Sequence, residues 1–119
     1  MTPPKITDRT ALDRQRRRAL LAPVDFLHEA AITEVQERLE LVNKPLENRA
    51  IVGWRDDLWG QAFPRAAVVA DGERLELPQG LDCVIHAMSL HWANDPVGQL
   101  IQSRLALKPD GLMVAIFPA

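Results

Sequence analysis

"DCVIHAMSLHWANDP", residues 82–96, changes character halfway. Asp82 to Ile85 opens an apolar run of strand type. The run then gives way to His86, His91, Trp92, Asn94 and Asp95, which are residues a core does not choose. A strand that ends in such a cluster belongs to a sheet whose strand ends carry a site. Helices on either side of it make that sheet parallel.

The flanking sequence supplies those helices. "PVGQLIQSRLAL" (96–107) starts with a proline suited to a first helical turn, and its expected apolar face is Leu100, Ile101, Leu105 and Leu107. "KPDG" (108–111) has turn chemistry. "LMVAIFP" (112–118) is an unbroken apolar strand. Upstream, "NRAIVGW" (48–54) and "RAAVVAD" (65–71) read as strands, with "DDLWGQAF" (56–63) as a short helix between them, capped by Asp56 and stopped before Pro64. "GERLELPQG" (72–80) is mostly loop.

Two helices come first. One runs from Thr7 or Asp8 to about Leu21 and carries Arg14, Arg16, Arg17 and Arg18. No aromatic interleaves with these arginines, so they read as a solvated face rather than a nucleic-acid platform. The next starts near Pro23 and carries Leu20, Val24, Leu27, Ala31, Val35, Leu39 and Val42 at three- and four-residue spacing. Asn43 and Pro45 stop it.

The order α, α, β, α, β, β, α, β with near-continuous apolar strands predicts a parallel sheet buried on both faces. The expected organisation is a helical segment over 1–47 and a reduced Rossmann-like α/β unit of about four strands over 48–119, packed as one body. Ligands of such sheets bind at the carboxyl ends of the strands. That rim is Gly53–Arg55, Asp71–Glu73 and His86–Trp92.

Composition narrows the function classes. Of 119 residues, 47% are apolar, enough for a core. The net charge of −2 leaves no global footprint for nucleic acid. No apolar run is long enough to span a bilayer. Cys83 is the single cysteine, which fits a reducing compartment. The start is polar, without an apolar signal core, and Asp8 and Asp13 interrupt its arginines. A cytoplasmic protein is the expectation. Histidines occur only at 28, 86 and 91, without the spacing of a metal site. No Walker loop or nucleophile elbow is present.

The run from Val68 to Phe117 resembles the central part of class I S-adenosylmethionine-dependent methyltransferases. The matching pieces are "VVADGERLELP", "DCVIHAMSLHWANDP" and "ALKPDGL". The subgroup it is most similar to holds the malonyl-carrier-protein methyltransferase of biotin synthesis and a methyltransferase-like assembly factor of respiratory complex I. The two leading helices resemble that subgroup as well. The resemblance implies S-adenosylmethionine as cofactor. It implies that Asp71, with Gly72 beside it, accepts from the adenine amino group. It implies that His86, Ala87 and Met88 pass the methionine part, and that Leu90, His91 and Trp92 border the space between cofactor and substrate; in a minimal methyltransferase built on Asp71, His86 and His91, His91 is the candidate base.

Two parts of the family pattern are missing. A loop of several glycines should follow the first strand, to let the backbone approach the cofactor. Here Gly53 alone remains, followed by Trp54 and Arg55. The acid that holds the ribose should end a second strand. Only residues 55–65 stand between the first strand and "AAVVAD", so the two strands are expected to pair directly.

The chain then has three readings. One is a minimal methyltransferase, since methyl transfer needs positioning more than acid–base chemistry. Another is a non-catalytic scaffold. A third is a fragment of a longer methyltransferase. The uncharged Leu112–Phe117 strand is an edge that needs a partner, either a second copy or a dedicated protein.

Overall fold

A computed structural model describes residues 9–21, 25–90 and 93–117. In chain order the elements are α1 (Arg9–Leu21), α2 (Phe26–Glu40), β1 (Arg49–Val52), α3 (Asp56–Ala62), β2 (Ala67–Val69), β3 (Leu81–Ala87), α4 (Pro96–Ala106) and β4 (Leu107–Ile116). The four strands form one sheet in the order β2-β1-β3-β4. Every pairing is parallel. This is the reduced Rossmann-like α/β sheet that the element order predicts.

β1 lies at the centre. Ala50, Ile51 and Val52 face Ala67, Val68 and Val69 on one side and Val84, Ile85 and His86 on the other. The direct β1–β2 pairing results from the short connection, which has room for one helix and no further strand.

Side chains alternate across the sheet. Ile51, Cys83, Ile85 and Ala87 face Ala31 and Val35 of α2 and Trp59 and Phe63 in and after α3. Ala50, Val52 and Val84 pack with Leu75, Leu81 and Ala106 on the other face. α2 therefore shares a core with the strands, and its stripe is core packing. Pro23 and Val24 lie outside the described residues.

Three local expectations need correction. α3 is not capped by Asp56. Arg55 takes the cap position without a side-chain bond, and Asp56 opens the helix. The apolar face assigned to α4 is not the packed one. Gln99, Ser103 and Ala106 are buried, while Ile101 and Leu105 are 54% and 72% exposed. The buried positions keep helical spacing, but two of them are polar because they bond to the sheet and to the loop before it. The third correction concerns "KPDG". The segment is a bulge inside β4 rather than a turn before it. Leu81 pairs with Leu107 and Cys83 with Leu112, so Asp82 alone opposes residues 108–111. Lys108 reaches back to the Asp82 carboxylate at 3.1 Å across the bulge. Gly111 is needed there, because an added Cβ would lie 2.8 Å from the Leu107 side chain.

This assignment of faces can be checked by chemical denaturation. Leu105→Glu on the open face of α4 should change stability by no more than about 0.5 kcal/mol. Ile51→Ala at the sheet centre should cost about 3 kcal/mol, through lost burial and a residual cavity.

Candidate functional site: the carboxyl rim of the sheet

The rim is built by three strand ends and closed by α1. Gly53 comes directly after β1, and its N–H donates to the Val69 carbonyl at 3.1 Å. A Cβ on Gly53 would sit 3.2 Å from the Ala87 carbonyl oxygen and 3.3 Å from the Ala87 Cβ. The glycine thus has a structural duty: it lets the ends of β1 and β3 approach.

Trp54 and Arg55 come next, where the family pattern has small residues. Trp54 meets the His28 ring edge-on at 5.6 Å. The guanidinium of Arg55 lies over the same indole at 5.6 Å. Arg55 is 3% exposed. It pairs with Asp57 at 2.8 Å and Asp25 at 3.0 Å, which compensates the buried charge. The bond to Asp57 is the main reason the Arg55 pKa is raised. The same bond lowers that of Asp57.

Asp71, just after β2, is 7% exposed and held by a guanidinium. Arg16 of α1 donates to both its carboxylate oxygens, at 3.1 and 2.7 Å. Arg9 adds a longer contact at 3.8 Å. Arg16 also lies over the Trp54 indole at 5.1 Å. A bidentate arginine–carboxylate pair stacked on an aromatic face combines the strong forms of both contacts. The reading of α1 as a solvated basic face therefore fails at Arg16, which is 9% exposed. Its aromatic partner comes from another element, which sequence spacing does not reveal.

The segment after Asp71 is clamped by α4. Gln99 donates its amide to the carbonyls of Asp71 and Gly72, at 3.1 and 2.8 Å. Gln102 donates to Glu73 and accepts from Leu75 N–H, each at 2.7 Å.

His86 is placed inside the sheet rather than on its rim. It is fully buried, and its Nε2 meets Ser103 Oγ at 2.8 Å. Ser103 donates its own hydrogen to the Gln99 carbonyl. Its oxygen is therefore the acceptor, and His86 carries its proton on Nε2. Burial pushes the imidazole pKa down to about 4. Ala87 is the last residue of β3, buried and paired with Ile116. Met88 turns the chain out of the sheet with a φ of 58°, which is uncommon for a residue with a side chain. Leu90 is half-buried and accepts from Ala93 N–H at 3.2 Å. His91 and Trp92, read as base and substrate border, lie outside the described residues.

His28 is remote in sequence from the other rim residues, yet it belongs to this rim. Trp59 Nε1 donates to its Nδ1 at 3.1 Å. Burial, then the nearby Arg55 charge, lowers its pKa. Burial also pushes the Cys83 thiol up to about 11, so it stays a neutral core residue. Among the described residues no group of three or more His, Cys, Asp and Glu is arranged to hold a metal. No described helix is long and apolar enough to cross a membrane.

Sheet and rim together define a reduced Rossmann-like α/β domain. No protein-family model matches the chain, and no solved structure matches it. Over 53 residues, 44% of its length, it is 42% identical to a Rattus norvegicus protein named arginine-hydroxylase NDUFAF5, mitochondrial. It is 40% identical over the same length to the proteins of that name from Danio rerio and Homo sapiens. The matched segment covers 15–16% of those relatives. They carry a mitochondrial designation, so the cytoplasmic expectation has no support from them.

His86 makes the stability of this region pH-dependent. The unfolded imidazole takes up a proton near the ordinary value of 6.5, the folded one only near 4. Between these values the unfolded state binds more protons, so stability falls as pH falls. The loss should be on the order of 3 kcal/mol between about pH 6.5 and pH 4. Denaturant midpoints measured across that window should show it, and His86→Gln should flatten the profile.

Proposed function

We propose that this chain is a methyltransferase-like domain that has given up its cofactor and works through protein contacts. The observation that carries this reading is the Arg16–Asp71 pair. The resemblance makes Asp71 the acceptor for the adenine amino group, and here both its oxygens are engaged by a guanidinium from α1. Further support comes from the first loop. Trp54 and Arg55 stand where the resembled pattern has small residues, and Arg55 is tied to two carboxylates. The residues present do not fit a bound nucleoside in this arrangement, so no methyl-transfer step is assigned to them.

Calorimetric titration of the whole chain with S-adenosylmethionine and S-adenosylhomocysteine tests this. The expected result is no binding at ligand concentrations of about 1 mM, where even weak sites fill. Micromolar binding that Asp71→Ala weakens would overturn it.

A second reading is favoured by what the rim holds. Asp71 and Trp54 grip a guanidinium between a carboxylate and an indole. The relatives that match part of the chain are named for action on arginine. The same rim would then dock an arginine side chain of a partner protein, with Arg16 in its place in the free chain. An arginine-bearing peptide should bind Arg16→Ala more tightly than the parent chain. Equal, negligible binding to both would remove this reading.

A further inference from the structure

The two edges of the sheet are protected very differently. β2 is three residues long, and Arg74 and Glu76 lie beside it. β4 is guarded at one end only. Lys108, Pro109, Asp110 and the bulge blunt its start, and bulges, prolines and charges are what natural edge strands use against pairing. From Gly111 to Phe117 the strand holds no charge and no proline.

The backbone alternation of this bare stretch is fixed. The Ile116 carbonyl accepts from Met88 N–H at 2.9 Å, so Ile116 turns its main-chain groups toward β3. By alternation Leu112 and Val114 do the same, while Met113 and Ala115 present N–H and C=O outward. The side chains of Met113 and Ala115 are exposed, and those of Leu112, Val114 and Ile116 are partly covered by the α2 side of the core.

We propose that a second copy of this chain pairs antiparallel along this edge, on a two-fold axis through Ala115. An antiparallel strand paired with itself exchanges its own donors and acceptors, which is the requirement of a closed two-fold interface. Centring on Ala115 places a small side chain against itself. It sets Met113 opposite Phe117 of the second copy, two half-exposed apolar side chains. It also leaves the 108–111 bulge outside the paired region. Centring on Met113 would bring the bulge into it.

The charges on the flank agree with this symmetry. A groove of about 470 Å³ runs between β4 and α2, with Glu34 and Arg38 on its helical wall. In the single chain these two bond to each other at 2.7 Å. An axis perpendicular to the sheet runs the two α2 helices antiparallel on one face. The two-fold reverses the order of Glu34 and Arg38 between the copies, so acid and base run in opposite directions along the two grooves.

This inference is independent of the cofactor reading, because dimerisation and ligand titration are separate measurements. The test is sedimentation velocity of the full chain over a concentration series, with Ala115→Pro and Ala115→Lys. The Ala115 N–H faces outward, so proline there removes an interface donor and leaves the β3–β4 ladder intact. The expected result is a reversible dimer whose dissociation constant rises at least about tenfold in both variants. Circular dichroism should match the parent chain. If proline disturbs the fold, the lysine variant carries the comparison, since its side chain is exposed. A monomer at all concentrations overturns the proposal. So does a dimer that neither variant weakens, or growth into open oligomers instead of a dimer.

Discussion

The constraint behind the rest of the structure is the short crossover from β1 to β2. Parallel strands cannot be joined by a tight turn, and the chain between Val52 and Ala67 has room for one seven-residue helix. α3 fills that role and leaves no length for another strand. β2 therefore lies directly beside β1. The loop after β1 must also enter α3 at once, which puts Trp54 and Arg55 at the mouth of the sheet. With β2 adjacent, Asp71 emerges near the same indole, and one arginine from α1 spans both.

The short crossover thereby leads to an electrostatic closure of the rim. Two buried guanidiniums, Arg16 and Arg55, flank Trp54 and are balanced by Asp71, Asp25 and Asp57. Removing a single member of such a set strands a buried charge, so the set holds together as a unit. Gln99 and Gln102 complete it by fixing the segment after Asp71. A region built to open toward a ligand would leave acceptors free at the strand ends. Here the polar groups of the strand ends are largely turned on one another, while exposed apolar side chains occur along β4, on the outer face of α4, and at both ends of α2, with Phe26 and Leu27 standing beside the rim.

The matched relatives bear on one segment of that picture. Their 53-residue match gives kinship without giving the whole protein's chemistry, since it covers 15–16% of their length.

The sequence by itself determined the order of elements, the parallel sheet and the pairing of β1 with β2. Strand and helix periods are local, and the crossover length is a count of residues. It also marked Gly53 and Asp71 as rim positions, because they end apolar runs. The placement of His86 was not legible: one residue decides whether a side chain at a strand end faces water or a helix, and α4 covers it through Ser103. The buried face of α4 was hidden because Gln99 and Ser103 are polar residues whose partners lie on other elements, although their four-residue spacing was visible. Only the tertiary structure decided the fate of α1. Nothing local distinguishes Arg16 from Arg14; its burial depends on an acid 55 residues away and an indole on a third segment. Long-range ion pairing leaves no period in a sequence, and the character of this rim rests on it.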